Sequence, residues 1–272
     1  MSTVTKSDAA TEYRDRGFVL FDTPILDADL ISGASEGMDE IREGRYDSGR
    51  PPAPSSWNPG DDPGKLCKVE LPQRANRAVH GLVSSPAIGA CAAAATGASM
   101  IQVWWVQLLH KPSTPPGTTS ATNVGWHRDW TYWADAWDPG SELLTAWVAL
   151  TDVREDCGPM SFAIGTHLWK SVEGGDFFRQ DLDRNQFTVP EGETWREELA
   201  LLPPGGLSLH DCLTLHGSGP NHSGAPRRSF AIHLRTEKSR TRDGNRAGLV
   251  EYLDDLQVCP IIHGERVEDA FR

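Results

Sequence analysis

The segment Trp126-His127-Arg128-Asp129-Trp130 sets an imidazole and a carboxylate two residues apart. In an extended strand such positions project from the same face, roughly 7 Å apart at Cα, so both side chains can turn to one metal ion. Two ligands leave most of a coordination sphere open. The candidate third is His216, 87 residues beyond Asp129, in the run Leu213-Thr214-Leu215-His216-Gly217-Ser218-Gly219-Pro220-Asn221. Two histidines and a carboxylate on one face of an octahedron are the ligand set of non-heme Fe(II) sites, because adjacent positions stay free for substrate and oxygen. A bare H-x-D triplet carries little, and a lone histidine is more often packed or solvated than ligating. The set gains weight from Arg227, eleven residues after His216 in Pro226-Arg227-Arg228-Ser229-Phe230.

With that spacing the chain resembles the phytanoyl-CoA dioxygenase (PhyH) family. The flanking text agrees: Arg14-Asp15-Arg16-Gly17-Phe18-Val19, Ala149-Leu150-Thr151-Asp152 ahead of Gly158-Pro159-Met160, and Ile164-Gly165-Thr166-His167, which is similar to the family's G-S-H turn. The resemblance implies an Fe(II)- and 2-oxoglutarate-dependent oxygenase on a double-stranded β-helix, a jelly roll of mainly β structure with flanking helices. It implies that His127, Asp129 and His216 hold Fe(II) and that an arginine binds the far carboxylate of 2-oxoglutarate. A guanidinium suits that role, with parallel donors and a permanent charge. Arg227 matches the family spacing and Arg228 is its competitor. Strand alternation groups Arg227 with Ser229, Ala231 and His233, the more polar face expected to line a barrel interior. Ser218 and Thr145 are further candidates for that carboxylate, Gln107 for cosubstrate or substrate, and Trp147 lies near the cosubstrate by family position. Asp129 favours hydroxylation or another C–H oxidation over halogenation, since halogenating relatives lack the carboxylate.

Substrate choice falls to segments that depart from the family pattern. Five of the ten tryptophans, Trp126, Trp130, Trp133, Trp137 and Trp147, lie within 22 residues. Trp133 and Trp130 are candidate substrate contacts, forming a wall for a flat or apolar molecule; the competing reading has these rings pack helices onto the barrel. Two rival functions remain: a cupin-like metalloenzyme that does not use 2-oxoglutarate, and a catalytically silent jelly roll that binds a ligand. The partners expected are a small organic substrate and O2, in specialised metabolism.

The elements that must position these residues come in two textures. Residues 1–100 read as helices and loops, with a helix ending at Gly17, one from Asp27 to Gly44, and one from Ser85-Pro86 to Gly97 carrying a proline at its start and a glycine at its end. Asp47 to Lys65 reads as a long surface loop, a candidate lid. From residue 100 to about 240 short apolar or alternating runs predict strands at Ile101–Leu109, Leu143–Leu150, Pro159–Ile164, Gly206–Cys212, Thr214–Gly217 and Ser229–Leu234, separated by Pro/Gly turns. Glu251 to Asp255 reads as a solvated helix face and Cys259 to Ile262 as a late strand, within a C-terminal extension 241–272. The whole is expected to be one domain, since single barrels reach 272 residues.

Composition bounds the partners. Lys and Arg total 26 against 38 Asp and Glu, a formal charge of −12, which disfavours nucleic acid and anionic membranes. Five scattered cysteines without a C-x-x-C pair suit reduced thiols. With no run of 18 apolar residues and no basic, apolar leader, the expectation is a cytoplasmic protein.

Overall fold

The computed structural model describes residues 6–117, 122–170 and 172–271. Two antiparallel sheets form its centre. The larger contains β1 (Phe18–Phe21), β2 (Cys67–Glu70), β3 (Ile101–Lys111), β5 (Leu143–Ala149), β8 (Leu207–Asp211), β10 (Arg227–Thr236) and β11 (Ile261–His263). Its order is β1-β8-β5-β10-β3-β11, with β2 also paired to β3. The smaller runs β4-β9-β6-β7, with β4 at Val124–His127, β6 at Met160–Ala163, β7 at Glu197–Leu199 and β9 at His216–Ser218. Two sheets packed face to face make the expected jelly roll.

Strand alternation decides which side chains reach the space between the sheets. On β10, Phe230, Ile232 and Leu234 point to the outer face and join the main apolar core. That core lies against helices α2 (Ala28–Arg42), α3 (Arg77–Val83) and α4 (Pro86–Thr96). Arg227, Ser229, Ala231 and His233 occupy the opposite face and are buried. Helix α2 starts where Asp27 accepts from the Leu30 N–H at 2.8 Å and buries Ile31, Ala34, Met38 and Ile41. Helix α4 begins at Pro86 and closes on Gly97 in the left-handed region. A further helix, α1, spans Lys6–Arg16.

Several expectations need correction. The first hundred residues also supply β1 and β2, and β11 enters from the C-terminal segment, so the main sheet draws on residues outside 100–240. The loop Asp47–Lys65 is no lid: Ala53 and Trp57 anchor it in the apolar interior, and none of it lines the cavities around His127. Glu251 to Asp255 forms turns around buried Leu253, not a helix. By length and composition Arg77–Thr96 would pass for a membrane span, with mean hydropathy 1.4. It is instead two helices parted at Ser84 and Ser85, half buried against the protein.

Candidate metal centre and its cavity

His127 and His216 are cross-strand neighbours. β4 pairs with β9 so that the two residues stand opposite each other, with ring centroids 4.2 Å apart. Each ring bonds a carbonyl two residues back: His127 Nδ1 to Gly125 O at 2.9 Å and His216 Nδ1 to Thr214 O at 3.0 Å. A carbonyl only accepts, so Nδ1 carries the proton in both rings and both Nε2 lone pairs are left for a ligand bond. Both Nε2 atoms lie 3.7 Å from Asp129 Oδ1.

Asp129 arrives differently from the expectation. β4 ends at His127, and Asp129 has turned into right-handed helical backbone (φ −58°, ψ −38°) ahead of the short helix α5 (Trp130–Trp133). The carboxylate therefore meets the histidines through a strand-to-helix turn, not through strand alternation. Its other oxygen, Oδ2, accepts the Thr145 hydroxyl at 2.8 Å and lies 3.3 Å from His210 Nε2. Burial pushes the Asp129 pKa up, but His216, His127 and His210 outweigh it and hold the group well below the usual carboxylate range. Burial, then His127 and His210, pushes His216 well down, keeping the imidazole neutral. One potential ligand atom from each of His127, Asp129 and His216 lies within 4.8 Å of the others.

Neighbouring segments hold this arrangement. The Thr166 hydroxyl accepts from Leu215 N at 2.9 Å and donates to Ala163 O at 2.8 Å, fixing the residue before His216. Gly125 accepts close approach: a Cβ there would collide with the Asp176 carbonyl. The absence of that Cβ lets Phe177 O take the Gly125 N–H and Phe177's ring lie 5.1 Å from His127's.

Beyond His216, Ser218 faces a second group of buried polar atoms. Arg227 Nη1 donates to Ser218 Oγ at 3.0 Å and to Gly158 O. Gly158 adopts φ +62°, a left-handed conformation suited to glycine. Arg227 stacks over Trp147, 5.0 Å from the ring centroid, and its Nε is buried without a partner. Arg228, one residue on, pairs with Asp39 on the helical side. Lys111, directly across β3 from Arg227, is completely buried and places Nζ 2.6 Å from both Ser218 Oγ and Gly219 O. Burial and then Arg227 push the Lys111 pKa well down, while burial lowers Arg227 to about 10. Among the described residues no carboxylate pairs with either cation.

Other sequence candidates have different surroundings. Thr145 lines the inner cavity and bonds Asp129 Oδ2 and His233 Nδ1, both at 2.8 Å, on the metal side of that space. Gln107 lines the cavity and lies 3.4 Å from Glu70 Oε1. Trp133 lines a wider space, whereas Trp130 packs against the apolar cluster that contains Trp104 and Trp137 and lines neither cavity. The inner cavity, 40 Å³, joins His127, Asp129, His216, Ser218, Arg227 and Trp147. The outer one, 290 Å³, is lined by Lys68, Glu70, Trp105, Tyr132, Trp133, Phe177, His233 and others. Sequence reasoning missed Lys68, Glu70, Lys111 and the 177–178 aromatics; alternation along β10 already put His233 on Arg227's face.

Comparison with known proteins follows the same line. The phytanoyl-CoA dioxygenase (PhyH) family pattern matches residues 13–229. A probable alpha-ketoglutarate-dependent hypophosphite dioxygenase of Stutzerimonas stutzeri is 33% identical over 129 residues, 46% of this chain and 43% of that protein. The ectoine dioxygenase of Halomonas elongata is 34% identical over 127 residues, 41% and 38% of the two chains. The matched region thus spans less than half the length of these relatives. The crystal structure of SnoN, a non-heme alpha ketoglutarate dependent epimerase from nogalamycin biosynthesis, superposes with a TM-score of 0.64 at 23% identity, over 87% of this chain and 85% of SnoN. EctD from S. alaskensis gives 0.62 at 17% identity, over 86% and 78%. Both likenesses speak for the jelly-roll fold.

Proposed function

The chain belongs to the phytanoyl-CoA dioxygenase family, and from that premise we propose that it is an Fe(II)- and 2-oxoglutarate-dependent oxygenase acting on a C–H bond of a small organic molecule. The observation that carries the reading is the convergence of His127 Nε2, Asp129 Oδ1 and His216 Nε2, with both histidine tautomers fixed by backbone carbonyls. Two neutral nitrogens and one anionic oxygen fit ferrous iron. The cosubstrate fits as well. Arg227 presents a buried, partnerless Nε beside Ser218 and uncompensated positive charge, a setting suited to the far carboxylate of a keto acid.

In this reading His127, Asp129 and His216 hold the metal, while Thr145 and His210 steady the outer Asp129 oxygen. Arg227 binds the cosubstrate carboxylate from a rigid mount of Trp147, Gly158 and Ser218. Lys111, with its donors taken by Ser218 and Gly219, fixes the Ser218 hydroxyl. When bound, iron and 2-oxoglutarate supply oxygen activation, converting the keto acid to succinate and CO2 as the substrate is oxidised. The chain's aromatic residues exclude water: Trp133 and Phe177 wall the outer cavity, where substrate would sit beside His127 and Asp129.

The test is anaerobic titration of the purified protein with Fe(II) and 2-oxoglutarate, which should raise a weak visible charge-transfer band, followed by succinate release on admitting O2 with a substrate screen. Absence of both would overturn the reading.

A further inference from the structure

The outer cavity contains an imidazole that neither the metal nor the keto acid uses. His233 lies on β10 between Thr145 of β5 and Trp105 of β3, and it lines both the inner cavity and the outer one. Its Nδ1 stands 2.8 Å from the Thr145 oxygen, whose single proton goes to Asp129 Oδ2 at 2.8 Å. An ionised carboxylate only accepts, so that proton is committed and His233 must donate from Nδ1. Burial outweighs the pull of Asp129 and brings the His233 pKa down to about 4, so the ring is neutral. Nε2 therefore holds a lone pair and no proton. Among the described residues none donates to it. Trp133 and Trp104 fix the ring, with centroids 4.8 Å and 5.7 Å from its own. Glu70, another acceptor in this wall, is already met by Trp105 Nε1 at 2.6 Å, Lys68 Nζ at 3.2 Å and Gln107 Nε2 at 3.4 Å.

We propose that His233 Nε2 is a specificity determinant of the outer cavity, accepting a hydrogen bond from a hydroxyl or N–H group on a compact, ring-bearing substrate. The inference rests on the oxygenase reading above and deepens it by naming a substrate class. A donor bonded to Nε2 lies where the two cavities meet, with the body of the molecule against Trp133 and Phe177. A buried acceptor is costly to leave unmet, so such a site discriminates sharply against an isostere that lacks the donor. The choice of donor over acceptor is set from the metal side. Asp129 takes the Thr145 proton, Thr145 takes the proton on Nδ1, and the ring is left with only a lone pair to offer the cavity. Ligand pockets usually measure roughly 300–1,000 Å³, so a cavity of 290 Å³ suits a molecule of one or two fused rings.

The test uses protein loaded with Fe(II) and one equivalent of 2-oxoglutarate under argon. Calorimetric titration compares phenol with toluene and indole with benzofuran, each pair matched in shape and differing in the donor. The quantity read is the ratio of the two affinities within a pair. His233→Asn keeps a donor near the Nδ1 position and removes the Nε2 acceptor. In at least one pair it should lower the ratio about fivefold or more, with Fe(II) affinity, read by chelator competition, unchanged. His233→Gln, whose Oε1 takes the Nε2 position, should keep the ratio within about twofold; melting curves verify that both variants are folded. The proposal is overturned by ratios that survive His233→Asn in both pairs, by a fall seen only where iron is also lost, or by an equal fall in His233→Gln. Failure of the unaltered protein to bind either phenol or indole overturns it as well. The charge-transfer band is recorded on the same samples. Its absence would count against the metal and keto-acid reading, whereas a normal band with unchanged ratios counts against His233 alone.

Discussion

The Thr145 hydroxyl donates to Asp129 Oδ2 at 2.8 Å and is itself held by His233 Nδ1 at the same distance. An ionised carboxylate only accepts, so the single hydroxyl proton belongs to that bond and His233 must donate to the Thr145 oxygen. The chain His233–Thr145–Asp129 thus fixes which carboxylate oxygen faces the two histidines. Removing a hydrogen-bond partner that orients a metal ligand costs about 10–100-fold in metal affinity. Thr145→Val should weaken Fe(II) binding in that range, read by competition with a chromogenic chelator, while Thr145→Ser stays near the starting affinity. Equal affinity in all three would show that the carboxylate needs no such support.

Asp129 contributes the only carboxylate oxygen in the proposed ligand set. Asp129→Gly leaves two imidazoles and should abolish both stoichiometric iron retention after gel filtration and iron-dependent release of succinate. Full turnover in that variant would contradict the ligand role.

Arg227 and Arg228 are adjacent in sequence and face opposite sides of β10, one toward Ser218 and the other toward Asp39. Truncating one partner of a buried charge pair costs about 2–5 kcal/mol, so Arg227→Ala should raise the apparent Kd for 2-oxoglutarate at least about thirtyfold. Arg228→Ala should leave it within about threefold, since its guanidinium lies on the helical side. The charge-transfer band measures both directly, and a larger loss in the Arg228 variant would reverse the assignment of the cosubstrate arginine.

The long strands β3, β5, β8 and β10 were legible because each is an apolar run that pairs on both edges and needs little else to declare itself. β1, β2, β4 and β7 are three or four residues long, and Lys68 and Glu70 within β2 carry no motif of their own; pairing with β3 places them at the cavity. The same applies to Lys111, an ordinary strand-end lysine in sequence that becomes buried because Arg227 and Ser218 close over it. His127, Asp129 and His216 were recoverable from spacing, but the backbone turn that brings Asp129 round was not. Alternation along β10 separated Arg227 from Arg228 correctly as faces of a strand, since that regularity is local. Trp130 and Trp133 instead sit on one helical turn and both belong to the same apolar cluster, while Trp133 also reaches the cavity wall.

His110 supplies a prediction about pH that is independent of the metal. It lies on β3 opposite Cys67 and Arg228, is buried, and has an unpartnered Nδ1. Burial, with Arg42 and Arg228 adding to it, pushes its pKa down to about 4, against about 6.5 for an unfolded chain. The folded state therefore favours the neutral ring. Its contribution to stability is fully present above pH 6.5 and is lost as pH falls toward 4, because the unfolded chain takes up a proton that the folded chain resists. The slope attributable to this one group is at most roughly 1 kcal/mol per pH unit across that interval. His110→Gln removes the titration while keeping a polar side chain of similar reach. In metal-free protein, where the other histidines titrate alike in both forms, urea denaturation at pH 7.5 and 5.0 should show a smaller loss of stability on acidification for His110→Gln. Identical losses would mean that His110 is protonated as readily inside the fold as outside it.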